Sequence, residues 1–427
     1  MSWLRRYHMQ QFIKTSFWLF PLSGILAAMA VAPAIRWLDG QIQWSWLDYS
    51  PEGARAILEA FASSMLTFFI FVLSSMIIVV QLASAQLTPR IISIALSRRE
   101  GKITLGVFTF SYLYTLAVLG RIEQTAPQLP VFLAVVSNLV AIIVFVRFVY
   151  EFGIGLRPIA MLENVAQECQ SVIESVHPHP FDPAARKSTA QAGRPLPSTA
   201  RIIEHAGASG VVLAFSPSDI VEMALRADSI VEILPQVGDF ISSGDPLFRV
   251  ASEQRTIDDE ALRHCVAIGP ERTMEQDPRF AFRIVVDIAN KALSPGINDP
   301  TTAVQALDQL HRLLMYVGMR CLDFGEGRDA DGKLRLIYNA PDWPDYVQLA
   351  VSEVRHYGVG SIQVARRLHA MLEHLIRVLP EVRKEPLQQE LQLLHNSVER
   401  AFSDIPDRAL AEISDNQGVG GSSRRID

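Results

Sequence analysis

Residues 58–88 read LEAFASSMLTFFIFVLSSMIIVVQLASAQLT, and Pro89 follows. The run is apolar almost throughout, and as a single α-helix it would be about 46 Å long. That exceeds the roughly 30 Å hydrocarbon core of a bilayer, so the segment reads as a span that tilts or projects into the cytosol. Its polar residues keep a period. Thr67, Ser74, Gln81 and Thr88 recur every seven residues, with Ser63 one turn before Thr67. This spacing places them on one helix face. Ser64, Ser75 and Ser84 form a second set close by. Hydroxyls and an amide facing lipid are costly, so the stripe is expected to face protein or water. Two readings follow. One is a tight helix–helix seam, where Ser and Thr let backbones approach. The other is the wall of a pore in an oligomer, with Phe71 and Ile78 as apolar rungs of a weakly selective or dewetting gate.

Working outward, three more runs reach spanning length: about Thr15–Ile35, Ile103–Gly120 and Pro130–Phe152. They account for most of the mean hydropathy of +0.19, which excludes both a disordered chain and a plain soluble enzyme. The first run is too long for a signal peptide and a second span follows it. Trp37, Trp44 and Trp46 after it suit an interfacial belt. Arg5, Arg6 and Lys14 precede the first span, Arg90, Arg98, Arg99 and Lys102 lie between the second and third, and Arg157 follows the fourth. The other two loops carry only Arg36, Arg55 and Arg121 beside acidic residues. The positive-inside rule therefore places both termini in the cytoplasm. Within the spans, Asn138 is expected to bond a neighbouring helix. Arg147, near the inner end, either snorkels to the headgroups or pairs with a buried partner. No Asp or Glu is central to a span, which counts against a proton-coupled transporter built on an acidic relay.

Residues 1–155 carry 11 Lys+Arg and 7 Asp+Glu, while the rest carries 28 and 38. An acidic cytosolic half argues against nucleic acid as a partner. Cys169, Cys265 and Cys321 are widely spaced, with no CxxC, and read as free thiols of a reducing compartment. Residues 156–200 read as a connecting helix (Ala160–Ser175) and a Pro-rich linker. The linker's His177-Pro-His179 reads as a stiff turn or, less simply, a metal-binding pair. Residues 201–252 read as a small β module with strands at Arg201–His205, Gly210–Phe215 and Ser229–Leu234 and a helix to about Arg226. Gly238-Asp239 through Gly244-Asp245-Pro246-Leu247 resembles the hairpin of biotinyl/lipoyl-like barrel-sandwich domains. Those carry their cofactor on a hairpin lysine, and no lysine lies between Lys187 and Lys291. Covalent carriage is therefore excluded. Residues 253–414 read as mainly helical: Asp258–Ile268, a helix from Asp277-Pro278, one capped by Asp299 running to about Cys321, a strand at Lys333–Tyr338, then helices from Trp343, from Ser361 and from Pro386. Residues 415–427 read as a disordered tail. The fold class is thus a four-span α-helical bundle plus a mixed α/β cytosolic domain with a barrel-sandwich-like module and a helical C-terminal part.

Asp277, Asp287, Asn298, Asp299 and Asp308 pose the question of a carboxylate-rich metal site, against helix caps and solvent-facing positions as the simpler reading. No Ser-His-Asp spacing, phosphate-binding glycine loop or His-x-x-x-His pair is present. The sequence is therefore read as a non-enzyme without cofactor or metal.

Three stretches carry a family resemblance: Leu82 through Arg90; Gly238-Asp239-Phe240 with Gly244-x-Pro246-Leu247; and Arg272-Thr273 with Gln276-Asp277, followed by Ala292 through Ala303. They resemble a prokaryotic family of predicted membrane proteins, the domain-of-unknown-function family 2254. The resemblance implies amino-terminal spans and a cytosolic domain, and brings no activity. The expectation is a multi-pass protein of the bacterial inner membrane. Its partners are the lipid bilayer, other copies in a homo-oligomer, and small ions conducted through a channel-like assembly with a cytosolic vestibule. The alternative is a membrane-anchored scaffold or sensor whose ligand or partner site is the Asn298-Asp299-Pro300 turn.

Overall fold

A computed structural model describes residues 2–42, 48–82, 88–91, 99–155, 157–183, 200–252, 257–322 and 325–421. Trp44, Trp46, Ser84 and Arg98 lie outside these residues. The chain forms two compact units, Gln10–Ala160, and Met1–Met9 together with Met161–Asp427.

After α1 (Trp3–Thr15), the N-terminal unit is built from α2 (Leu19–Ile42), α3 (Pro51–Leu82), α4 (Arg99–Leu119) and α5 (Gln128–Gly155). The last four are long and apolar enough to cross a membrane. α3 starts seven residues before the apolar run, because Ser50 caps it: the Gly53 N–H donates to Ser50 Oγ at 3.1 Å and Pro51 takes the first helical position. α2 crosses α4 where two glycines meet. A Cβ on Gly24 would lie 2.5 Å from the Gly106 carbonyl oxygen, so side chains there would force the helices apart. Two apolar clusters fill the interior, one around Leu58, Tyr114 and Val131, the other around Met65, Phe108 and Phe148. Polar links close the ends. Asp39 Oδ1 accepts from the Leu129 N–H at the start of α5 (3.1 Å), and Tyr49 and Gln128 exchange two hydrogen bonds of 2.8 and 3.1 Å. At the other end the buried Lys102 ammonium donates to the Lys14 carbonyl oxygen in the last turn of α1 (2.5 Å), where the helix dipole favours a cation.

The C-terminal unit continues with α6 (Pro158–Val176), β1 (Arg201–Glu204), β2 (Gly210–Phe215), α7 (Pro217–Arg226), β3 (Ser229–Ile233), β4 (Phe240–Ile241), β5 (Pro246–Ser252), α8 (Asp259–Arg263) and β6 (Val266–Gly269). Then follow α9 (Pro278–Ala292), α10 (Pro300–Gly318), β7 (Gly325–Arg328), β8 (Leu334–Tyr338), α11 (Trp343–Gly358), α12 (Ile362–Val378), α13 (Lys384–Ala401) and α14 (Ile405–Ala411). Two sheets form, in the orders β1-β5-β3-β8-β7 and β4-β2-β6, antiparallel except for the β3–β8 pair. Phe215, Ile220, Val231, Phe248 and Leu336 build the core between the strands and α7.

Several features differ from the sequence reading. The helix expected over Asp258–Ile268 stops at Arg263, and Val266–Gly269 pairs with β2 instead, since a short apolar run serves a strand as well as a helix. The β region does not close at residue 252: β6, β7 and β8 complete its sheets, with β8 lying parallel to β3 across about a hundred residues. Residues 415–421 are held rather than loose. The fully buried Arg366 donates to the carbonyl oxygens of Ile413 (3.0 Å), Gly420 (2.9 Å) and Gly421 (2.7 Å), and Asp415 accepts from the N–H groups of Gln417, Gly418 and Gly420 at 2.8–3.0 Å. Residues 422–427 lie outside the described residues. The first turns of α1, which the sequence pattern did not flag, also belong here: Trp3, Leu4 and the buried Tyr7 pack on Val211, Leu213, Ala214 and Ala267 of β2 and β6.

Arg366→Met leaves three carbonyls without their charged donor and is expected to cost on the order of 3 kcal/mol. Its melting temperature should fall and residues 413–421 should be trimmed faster by proteases. Wild-type values of both would contradict the clamp.

Candidate functional site

Ser63, Thr67, Ser74 and Gln81 all lie on one exposed face of α3, opposite the buried face made by Ala54, Leu58, Ala62, Met65 and Val72. No other helix of this chain covers the stripe among the described residues, so it is not an internal seam. Thr88 is separate. It lies beyond α3, is buried, and its Oγ1 accepts from the Arg90 N–H (3.4 Å) at a single 3-10 turn. Ser64 is exposed and Ser75 buried. The structure adds members that a search for polar residues alone passes over. Ala56, Ala60, Ile70 and Ile77 are exposed on the same face. With Ser63, Thr67, Ser74 and Gln81 they fill alternate spacings of three and four residues from 56 to 81, the a and d positions of a heptad seam. The hydroxyls partly satisfy themselves: Thr67 donates to the Ser63 carbonyl (3.2 Å) and Ser64 to that of Ala60 (2.8 Å). The Gln81 amide has no partner among the described residues, and a serine or threonine hydroxyl can still accept.

Asn138 bonds the neighbouring helix as expected. It is fully buried, and its Nδ2 donates to Thr115 Oγ1 (2.8 Å) on α4 and to the Ala134 carbonyl oxygen (2.7 Å) one turn back. Thr115 in turn donates to the Ser111 carbonyl (2.7 Å), and the Ser111 and Ser137 hydroxyls meet at 3.2 Å. Arg147 is exposed on the outward face of α5 beside Ile143, Val146 and Tyr150, with no carboxylate partner among the described residues.

The carboxylates of the C-terminal unit do not gather. Asp277 caps the start of α9, accepting from the Phe280 N–H (3.1 Å) and pairing with Arg272 (2.9 Å). Burial pushes its carboxyl up, while Arg272 and Arg279 pull against that. Gly238, with φ +94°, must be a glycine here, because a Cβ would meet Arg272 and Asp277. Two of the sequence's motif stretches thus meet at one ion pair, of which Asp277 is buried and Arg272 exposed. Asp287 sits mid-helix, bound to Arg283 (2.6 Å), which also clamps Glu353 on α11. Asn298, in the left-handed region (φ 49°), and Asp299 lie past the far end of α9, whose 15 residues span about 22 Å. Asp299 caps α10, accepting from the Thr302 N–H (3.1 Å) and hydroxyl (2.6 Å). Asp308 pairs with Arg367 (2.7 Å). Each of the five is spent on a cap, a turn or an ion pair. His177 is buried against the Tyr346 hydroxyl (3.3 Å) and His179 is exposed, so that pair does not converge either. No group of three or more His, Cys, Asp or Glu suited to a metal occurs among the described residues.

Comparison with known proteins follows this architecture. A family model described as "Predicted membrane protein (DUF2254)" matches residues 14–374. The chain belongs to this family. Similar proteins include the uncharacterized proteins Mb1321c of Mycobacterium bovis and Rv1290c of Mycobacterium tuberculosis, each 24% identical over 424 residues, covering 95% of this chain and 80% of the relative. No solved structure matches the chain. The family match spans all four candidate membrane helices, both sheets and the α9–α10 turn.

Three imidazoles of the C-terminal unit are held neutral. His177, His311 and His369 are each pushed down to about 4, first by burial; Arg383 and Arg320 add to this at His177, Arg367 and His374 at His311, and His395 at His369. The Arg367 guanidinium donates to His311 Nδ1 (3.0 Å), so His311 Nε2–H donates to His374 Nδ1 (2.9 Å). Between the ordinary value of 6.5 and about 4 the unfolded chain binds more protons than the folded one. Stability is therefore full above that window and falls as pH drops through it, by at most about 1.4 kcal/mol per pH unit for each histidine. The melting temperature should decline from pH 6.5 towards 4, and more gently in His369→Leu. Identical slopes for variant and wild type would contradict the burial of a neutral His369.

Proposed function

We propose that this membrane protein is a homo-oligomeric, channel-like assembly of the bacterial inner membrane, in which the outward stripe of α3 faces the same stripe of neighbouring copies and lines a conduit. One observation supports this reading above others: a polar heptad face of a membrane-length helix that no other helix covers among the described residues. Against lipid that face would leave the Gln81 amide and the serine hydroxyls short of partners. Against copies of itself each polar residue meets its own kind, and identical helices match in register at every layer. A helix of 32 residues is long enough to do so across the whole hydrocarbon core with some tilt. In a ring of such helices the hydroxyl and amide layers are wettable, while the exposed Phe71 and Ile78, with Ile70 and Ile77 at the positions between the polar layers, supply apolar constrictions, the composition of a gate that opens by hydration rather than by charge.

The permeant species in this reading are small ions. The acidic C-terminal half, with 28 Lys+Arg against 38 Asp+Glu, is assigned the vestibule that raises the local concentration of cations. Arg5, Arg6, Arg90, Arg99 and Arg157 assign both termini to the cytoplasm. No catalytic step and no cofactor is assigned.

Ser74→Cys should cross-link between copies in native membranes under mild oxidation, and purified protein in planar bilayers should conduct. Gln81→Leu should change the conductance by about tenfold or more, since it removes the largest polar group of the stripe. Absence of both cross-linking and conductance would contradict the proposal and leave a monomeric scaffold or sensor as the reading to pursue.

A further inference from the structure

The helix ahead of the first span has two apolar faces. At 100° per residue, Trp3, Leu4 and Tyr7 of α1 point to one side and Met9, Phe12 and Ile13 to the other. The first side is the one packed on β2 and β6. The second is bare: Met9 is 47% exposed, Phe12 62% and Ile13 54%. Arg5 and Arg6 border that bare face, both exposed and neither in an ion pair among the described residues. A 13-residue helix with three large apolar side chains on its free side and two arginines beside them is poorly suited to water.

We propose that this outward face of α1 lies in the headgroup region of an anionic bilayer leaflet. Two observations select lipid over a protein occupant. The first is continuity. α2, the first membrane-length helix, begins at Leu19, four residues after α1 ends, and Trp18 between them is 79% exposed, a residue type favoured at the membrane interface. The free face of α1 therefore leaves the chain at the point where the chain enters the bilayer. The second is charge complementarity. Arginines flanking an apolar face are the pattern of helices that lie in the interface plane, where the apolar side chains reach the acyl boundary and the guanidiniums bind lipid phosphate. The arrangement also accounts for the second apolar face of α1, the one that does not pack on β2 and β6. This inference stands apart from the α3 stripe, and neither depends on the other.

The test uses the full-length protein in nanodiscs of phosphatidylcholine alone, and of phosphatidylcholine with about 30% phosphatidylglycerol. A polarity-sensitive fluorophore is placed on Phe12→Cys in a Cys321→Ser background, since Cys169 and Cys265 are buried. Quenching by lipids bearing a nitroxide near the headgroup should be strong, and about threefold or more stronger in the anionic discs. Combining Arg5→Gln with Arg6→Gln should abolish that dependence on composition while the label still folds into place. Ile13→Cys, on the same face, serves as a second label position should Phe12→Cys not fold. A water-like emission with no quenching in either disc overturns the proposal, and would point to a protein covering the face. Quenching equal in both compositions overturns the assignment to anionic lipid.

Discussion

A lipid interior supplies no hydrogen-bond partner, and this one constraint orders the N-terminal unit. Each membrane-length helix satisfies its backbone internally, so what remains to be arranged is the side chains. Between α4 and α5, side-chain donors find partners on the neighbouring helix. Asn138 reaches Thr115 and the Ala134 carbonyl, and Ser111 meets Ser137, so that α4 and α5 are fixed in rotation against each other. On the outward face of α3 no other helix meets such groups among the described residues, and the bonds of Thr67 and Ser64 go to carbonyls of α3 itself. The proposal of an assembly lined by α3 grows from that contrast between two sets of residues of the same chemistry. The same constraint accounts for Lys102, whose ammonium is buried but aimed at the carbonyl end of α1.

The C-terminal unit obeys the same rule with different groups. Its carboxylates and arginines are placed where helix ends and turns expose backbone N–H and C=O groups. Asp277 and Asp299 close the starts of α9 and α10, Asp239 accepts from the Gln236 N–H (2.8 Å) and Asp245 from the Ser242 N–H (2.7 Å) in two similar Gly-Asp turns, and Arg366 and Asp415 together fold the last described segment onto α12. Motif residues that suggest chemistry from sequence are here doing architectural tasks, because a buried cap needs the same Asp that a metal site would. The ion pair of Arg272 with Asp277 beside Gly238 helps join the β region to the helical region, together with the two hydrogen bonds between Gln276 and the Phe215 backbone and that from Arg279 to Gln236.

Much of this was legible from sequence because it rests on local rules. Long apolar runs mark α2 to α5, and Asp-Pro at 277–278 and 299–300 marks two helix starts to the residue. What the sequence hid depends on contacts distant in the chain. Val266–Gly269 is a strand because β2 is there to pair with it, and Leu334–Tyr338 joins a sheet laid down a hundred residues earlier. The start of α3 escaped because Glu52, Arg55 and Glu59 make its first turns polar, and α1 escaped because its two apolar faces cancel any one-sided pattern. In the candidate site, the polar members of the α3 face follow from their spacing. Its alanines and isoleucines are ordinary residues for any membrane helix and acquire meaning only once the opposite face is seen to be buried.

The most direct measurement is a cryo-electron microscopy reconstruction of the full-length protein in nanodiscs, read for symmetry and for the surroundings of Gln81. A ring of copies with Thr67, Ser74 and Gln81 of α3 around a common axis is the expected result. A monomer with that face against lipid, or a pair of copies with the stripe packed dry between them, would contradict the conduit.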